Sequence, residues 1–312
     1  MAFTNRVTSM LGVEVPIVQA PMGYVAKPPL VAAVAEAGAI GLVPGSLGVE
    51  VVRADIRRTR ELTDKPFGVN LPIAFVTDPA IVEAVVEEGL EFVTTSAGSP
   101  TTYTPILKEA GLIVFHVVPS LTAALKARDA GVDGLVVEGS EGAGFKNPRE
   151  VSTMVLLPLV AERVDLPIIA AGGIADGRSM AAAFALGAEG VQMGTRMIAT
   201  LEAGVHQNMK DAVVDAAETD TMLINQHNRR PVRVLRTATT ARFEGATDGD
   251  PMALLGSILD LYDRGDLEAS LPQLGAVAGR IGSVRPVADV IADTVREFDT
   301  VVDGLAHRYR DR

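Results

Sequence analysis

The sequence predicts an α/β fold, a TIM (β/α)8 barrel with a smaller, mostly helical second lobe. Three observations predict it. Short, continuous apolar runs recur along the chain, amphipathic stretches of helical period separate them, and several of those stretches close on a glycine. Strands buried on both faces of a parallel sheet read as unbroken apolar runs, because neither face meets water. Eight alternations of strand and helix close a barrel, whereas a doubly wound open sheet, the competing architecture, normally stops at about five or six strands.

The eight runs are Pro16 to Gln19, Ala39 to Val43, Pro66 to Leu71, Phe92 to Thr95, Leu112 to Val118, Gly134 to Glu138, Pro167 to Ala171 and Gly190 to Met193. Helical spacing fills the intervals over Pro29 to Ala37, Val49 to Leu62, Pro79 to Glu88, Thr104 to Ala110, Leu121 to Ala130, Val151 to Arg163 and Gly177 to Leu186. The pairs Ala37-Gly38, Ala110-Gly111, Ala130-Gly131 and Leu186-Gly187 supply the left-handed stop that glycine adopts without strain. After Thr200 the strand rhythm ends. Helical patterning runs from Val205 to about Ala217, an Arg-bearing, turn-rich region follows, FEGATDGDP (Phe243 to Pro251) reads as a loop, and Pro286 to His307 has helical spacing again. A barrel commonly uses about 250 residues, so the 312 residues divide into a barrel over 1–215, a smaller substrate lobe over 216–285 and a C-terminal helix over 286–312 that returns to the barrel.

Composition removes several classes of function. A net charge of −11 opposes general binding to nucleic acid or to an anionic membrane surface, both of which demand clustered positive charge. The absence of cysteine removes disulfides, thiolate metal sites and thiol nucleophiles, so redox chemistry needs a cofactor. Neither a signal-peptide pattern nor an apolar run long enough to span a bilayer is present, and a cytoplasmic location is the expectation. The six lysines all fall in helices or loops, which disfavours a Schiff-base aldolase. Four histidines without a His-x-His pair on the first strand disfavour a metal-dependent hydrolase, and no metal site is expected.

In a barrel of this type the active site lies at the C-terminal ends of the strands, and phosphate often sits after the seventh and eighth. Here the seventh runs into AAGGIADG (Ala170 to Gly177) and the eighth into QMGTR (Gln192 to Arg196). Glycine lets backbone amides approach an anion, and a following helix start adds a favourable dipole. Gly172, Gly173, Gly194 and Thr195 are therefore the candidate phosphate holders. Tight turns alone would explain either glycine loop by itself, but not both at the two expected positions. The sixth strand ends in a third glycine-rich loop, EGSEGAGFKNP, the first in QAPMG and the third in GVNLP, which places Gln19, Asn70 and Glu138 as polar groups for a planar ligand over the barrel mouth.

The motifs PIVQAPMG, KPFGVNLP, PIIAAGGIADG, GAEGVQMGTR, and ETDT followed by VRVLRT, are together those of a known group. The chain resembles the nitronate monooxygenases, formerly 2-nitropropane dioxygenases, which are related to flavin-containing enoyl-acyl-carrier-protein reductases and to NADH:quinone reductases. The resemblance covers Pro16 to about Arg236. It implies one non-covalent FMN. Gln19, Pro21 and Met22 would then lie at its ring, Asn70 and Glu138 at the polar edge or ribityl chain, Gly144 in the flanking loop, and Gly172, Gly173, Gly194 and Thr195 at the phosphate. It also implies a small-molecule substrate, with NADH or NADPH as an optional co-substrate, and is compatible with a homodimer.

Many relatives carry GGH or AGH in the loop after the sixth strand, and that histidine serves the substrate as a base or polar partner. Here the same register reads Ala143-Gly144-Phe145, and Phe145 cannot move a proton. His116, late in the fifth strand, is the one candidate replacement, with a buried structural histidine as the alternative reading. Three activities stay open: oxidation of alkyl nitronates with O2, NAD(P)H-dependent reduction of an enoyl thioester or quinone, and flavin binding with catalysis lost. The run NRRPVRVLR gathers Arg229, Arg230, Arg233 and Arg236, which could receive the phosphates of a nucleotide or coenzyme A, or pair with surface carboxylates.

Overall fold

The computed structural model describes residues 3–310; residues 1, 2, 311 and 312 of the expected outer segments lie outside them. In chain order the first six strands are β1 (Ile17–Gln19), β2 (Leu42–Pro44), β3 (Gly68–Pro72), β4 (Phe92–Ser96), β5 (Ile113–Val118) and β6 (Gly134–Glu138). A two-residue strand, β7 (Gly144–Phe145), stands apart, and β8 (Ile168–Ala171) and β9 (Gly190–Met193) complete the main sheet. The order β1-β9-β8-β6-β5-β4-β3-β2 is parallel throughout, and a bridge between Val18 and Ile40 joins its two ends into a barrel. Each barrel strand lies within or beside one of the eight apolar runs, as burial on both faces requires.

The connecting helices are α2 (Pro28–Glu36), α3 (Val49–Leu62), α4 (Ala80–Glu87), α5 (Thr104–Glu109), α6 (Leu121–Asp129), α7 (Thr153–Ala161) and α8 (Gly177–Ala185), while α1 (Arg6–Leu11) precedes β1. Two packed regions follow from this arrangement. Val18, Leu42, Phe92, Phe115, Val136 and Ile169 share one cluster, and the helix faces pack on the outward side of the strands in a larger one.

The eighth barrel helix does not follow β9 directly. After α9 (Thr195–Ile198) and α10 (Gln207–Val214) the chain builds an antiparallel hairpin, β10 (Thr221–Ile224) and β11 (Val232–Leu235), then α11 (Ala238–Ala241) and α12 (Ile258–Arg264), with two 3-10 turns. Only then does α13 (Val287–Arg310) return to pack between α8 and α2. The expected boundary at 215 falls just after α10, whose Met209 and Val213 share a core with Leu235, Leu261 and Leu274 of the lobe. The hairpin was not anticipated. β11 pairs with β7, so the lobe reaches back and holds the loop after β6.

The α8–α13 contact is close enough to be tested at one residue. Asp176 caps α8 through Ser179 N at 2.8 Å, and the Gly177 amide donates to Glu297 of α13 at 2.9 Å. A Cβ on Gly177 would lie 2.3 Å from both Phe298 N and Thr294 O, which are backbone atoms that cannot swing away. Gly177→Val is expected to lower stability by about 3 kcal/mol, the upper part of the overpacking range, as read from denaturant unfolding. A loss below about 0.5 kcal/mol, the usual surface effect, would show that α13 is not seated there.

Candidate active site

The loops after β1, β3, β6, β8 and β9 meet at one rim of the barrel around a cavity of about 1020 Å³. This is at the upper end of the roughly 300–1,000 Å³ that small-molecule sites occupy. Pro21, Met22, Asn70, Glu138 and Gly144 line it, as do Gly172, Gly173, Gly194, Thr195, His116 and Phe145. Gln19 does not. Its side chain is fully buried, its Oε1 accepts from Leu42 N at 3.1 Å and its amide nitrogen donates to Ala20 O, so it ties β1 to β2. The side chains of a strand alternate between two faces, and position 19 falls on the closed one.

Two backbone segments make the cradle. Gly172 and Gly173 follow β8 with φ of 91° and 79°, a conformation that glycine adopts without strain. Among the described residues, the N–H groups of Gly172, Gly173 and Gly194 have no partner within the chain. Three free amides on adjacent strand ends suit an anion with several acceptor oxygens. Register places Ala171 beside Gln192, so the two segments are neighbours. Glu141 and Gly275 join them. A Cβ on Gly275 would lie 2.9 Å from Glu141 O and 3.1 Å from Thr195 Oγ1, and Gly275 N donates to that hydroxyl at 2.9 Å. The Thr195 hydroxyl thus keeps its own proton for an acceptor outside the chain. The expected dipole of α8 contributes little, because the Asp176 carboxylate already occupies that helix start.

Further polar groups are poised. Gln192 Oε1 is buried in the cavity wall without a partner, the kind of acceptor that a flavin ring N–H satisfies. Asn70 Oδ1 accepts from Thr94 Oγ1 at 2.9 Å, which orients the amide and leaves its nitrogen for a ligand. Thr153 N donates to Glu141 at 3.0 Å, while Thr153 Oγ1 lies 2.9 Å from Glu141 Oε2 and 2.9 Å from Gly172 O, so α7 braces the cradle from behind. These residues fit FMN: free amides for its phosphate and unsatisfied amide groups for its ring. Sequence reasoning missed Gln192, Glu141, Thr153 and Gly275. Only Gln192 and Glu141 lay within glycine-rich loops that could have flagged them.

His116 is 3% exposed. Its Nδ1 lies 2.7 Å from Thr95 Oγ1, and a backbone hydrogen bond joins it to Gly98. Burial pushes its pKa down to about 4, against a smaller opposing effect of the Gly98 bond. The ring is therefore neutral near pH 7 with its hydrogen bonds already committed. His206 and His227 do not line the cavity: His206 caps α10 and His227 bonds Gly249 O at 2.8 Å. The Arg quartet separates. Arg233 donates to Ser140 O at 2.9 Å and lies 3.6 Å from Glu150, Arg236 pairs with Glu244, and Arg229 and Arg230 sit exposed near the hairpin turn.

Phe145 occupies the mouth of the cavity, 38% exposed, with its ring centroid 5.1 Å from that of Phe75, itself 42% exposed. Beneath them Lys146 bonds Glu138, its side chain only 3% exposed. No cluster of His, Asp or Glu suitable for a metal occurs among the described residues, and no helix among them is long and apolar enough to cross a membrane.

Comparison with known proteins identifies relatives of this fold. The chain is 40% identical to FabK from Thermotoga maritima, over 98% of this chain and 99% of that one, with a TM-score of 0.92. A nitroalkane oxidase from Streptomyces ansochromogenes matches with 25% identity over 96% and 100% of the two chains and a TM-score of 0.85. A Rhodococcus jostii protein described as a (3aS,4S,5R,7aS)-5-hydroxy-7a-methyl-1-oxo-octahydro-1H-indene-4-carboxyl-CoA dehydrogenase is 33% identical, covering 97% of this chain and 78% of its own. The nitronate monooxygenase family model matches residues 4–80 and 73–297. With its barrel, its paired cradle segments and this match over nearly its whole length, the chain belongs to the nitronate monooxygenase family of oxidoreductases.

Proposed function

We propose that the protein is an FMN-dependent reductase that takes electrons from NADH or NADPH and reduces a carbon–carbon double bond conjugated to the carbonyl of an apolar thioester. The cofactor half rests on the free amides of Gly172, Gly173 and Gly194. The substrate half is carried by the Phe75–Phe145 pair, which puts apolar surface at the mouth of the cavity. The likeness to FabK over the whole chain supports the same reading.

FMN bound here would carry two electrons between nicotinamide and acceptor. The chain's own residues do the rest. The amides and the Thr195 hydroxyl neutralise phosphate charge through charge-assisted hydrogen bonds, Asn70 and Gln192 offer the ring oriented polar atoms, and Phe75 and Phe145 shield the reacting centre from water.

Anaerobic mixing of the FMN-loaded enzyme tests the proposal. Bleaching of the flavin band by NADH or NADPH, and its return on adding an enoyl thioester, is the expected result. Bleaching by an alkyl nitronate alone would favour the oxidase instead, recovery with a quinone alone the quinone branch, and no bleaching at all a flavin-binding protein. The family name and the nitroalkane oxidase neighbour make the nitronate arm the necessary control.

Restoring an imidazole gives a second check. Pairing of Phe145 with Val232 and of Gly144 with Arg233 fixes the loop backbone, so a side chain placed at 145 keeps its direction. Phe145→His is expected to raise nitronate turnover by about 10²-fold, the lower end of general acid–base contributions. An unchanged steady-state rate would count against position 145 facing the substrate.

A further inference from the structure

We propose that Lys146 is the proton donor of the reductive reaction, delivering a proton to the carbon beside the thioester carbonyl. The inference rests on the reductase reading above and deepens it. Reduction of a conjugated double bond adds a hydride at one carbon and a proton at the other, so the cavity must hold an acid as well as a path for electrons.

Few of the titratable side chains lining the cavity can serve. His116 is neutral and its hydrogen bonds are made. The Tyr262 hydroxyl is wholly buried, with its pKa pushed up to about 12 by that burial, and is bonded to the backbone of Gln273. Glu141 accepts from Thr153 N and lies in hydrogen-bond contact with its hydroxyl, so it belongs to the brace behind the cradle. Glu150 and Lys126 are exposed at the rim. Tyr24, half-buried in the loop after β1, Glu138 and Lys146 remain; Glu138 is paired with Lys146, and of the two proton carriers Lys146 is the one held at its tip, by that ion pair.

Local structure places it. Phe145 turns outward to Phe75, and the next residue of an extended segment turns to the opposite side, which sends Lys146 inward beneath the aromatic pair. Its backbone N–H donates to Pro231 O at 2.8 Å, extending the β7–β11 pairing and anchoring the main chain. The ammonium meets Glu138 at the end of β6, and Gly142 makes room: a Cβ there would lie 2.8 Å from Lys146 Nζ and 2.5 Å from Glu138 Oε1. A long side chain held at its base and its tip, almost entirely out of bulk water, is ordered enough to act as a catalytic acid.

The balance is simple. NADH or NADPH supplies the hydride equivalent, two electrons and one hydrogen, which forms a C–H bond at the carbon remote from the carbonyl. As the carbon–carbon π bond breaks, its electron pair forms the second C–H bond with a proton from Lys146 Nζ. The neutral amine then regains a proton from water, and the products are the saturated thioester and oxidised nicotinamide.

The test compares wild type with Lys146→Met and Lys146→Arg, using crotonyl-CoA and octenoyl-CoA as carbon acceptors and a benzoquinone as an acceptor that protonates on oxygen. FMN affinity by fluorescence quenching is the readout independent of turnover. Enoyl reduction is expected to fall about 10²–10⁴-fold in both variants, with the loss in quinone reduction and in FMN affinity within about tenfold. In D2O the wild-type product should carry one deuterium beside the carbonyl. An enoyl rate in Lys146→Met near wild type, or an equal loss with quinone and of FMN, overturns the assignment. A wild-type enzyme that reduces quinone but no enoyl thioester overturns the reductase reading itself, and this proposal with it.

Discussion

Gly172→Val is expected to weaken FMN binding by about 100-fold or more, equivalent to roughly 2.7 kcal/mol. At φ 91° a branched side chain is strained, and its Cβ would press on Gly139 O at 3.0 Å, Thr153 Oγ1 at 3.1 Å and Gly139 N at 3.2 Å. Two of these are backbone atoms, and the third is held in the brace behind the cradle, so the glycine itself must turn. Turning it re-aims the free amides of Gly172 and Gly173, and charge-assisted bonds to phosphate depend on that aim. Gly131→Val separates strain from binding, since Gly131 has φ 81°, nothing within 4 Å of a built Cβ, and no place in the cavity wall. Fluorescence titration with FMN should show the loss in the first variant and not in the second. Equal affinities would remove the cradle from the proposal.

The second large effect concerns acid stability. In the unfolded chain His116 takes up its proton near pH 6.5, but in the folded protein only near pH 4, because burial opposes the charged ring. Between these values the unfolded state binds more protons, so folding stability rises with pH. The contribution is complete above pH 6.5 and is lost as pH falls through the folded value. Replacing the ring with a group that does not titrate, as in His116→Asn, should shrink the drop in unfolding free energy between pH 7 and pH 5 by about 2 kcal/mol. Urea titrations at the two pH values measure it. Parallel pH dependences in variant and wild type would mean that the ring is solvated.

The barrel was legible in the sequence because its signal is local. A strand buried on both faces must be apolar at every position, and Leu42, Val93, Val136 and Ile169 stand in such runs. The glycine loops at the rim were legible for a similar reason, since each follows its strand directly and the structure brings them together as neighbours. What escaped notice depends on distant partners. β7 has only two residues and is a strand because Val232 and Arg233 lie beside it. Gly275 enters the cradle through a bond to a hydroxyl 80 positions earlier. Gln19 was expected at the ligand and Gln192 was not, yet side-chain direction sends the first to a backbone partner and leaves the second facing the cavity. The four arginines looked like one patch, but alternation along β11 turns Arg233 toward the loop after β6 while Arg236 stays outside.

The late return of α13 also shapes how the polypeptide is made. Its last barrel strand ends at Met193, but the helix that fills the gap between α8 and α2 begins at Val287. At the roughly 5–20 residues per second of protein synthesis, those intervening residues take roughly 5–20 s to emerge. Throughout that interval Phe184 lacks the Phe298 ring that later meets it at 5.1 Å, and a greasy furrow faces water. Chains cut short before Val287 are therefore expected to aggregate more readily than the full chain, because nothing then covers that furrow.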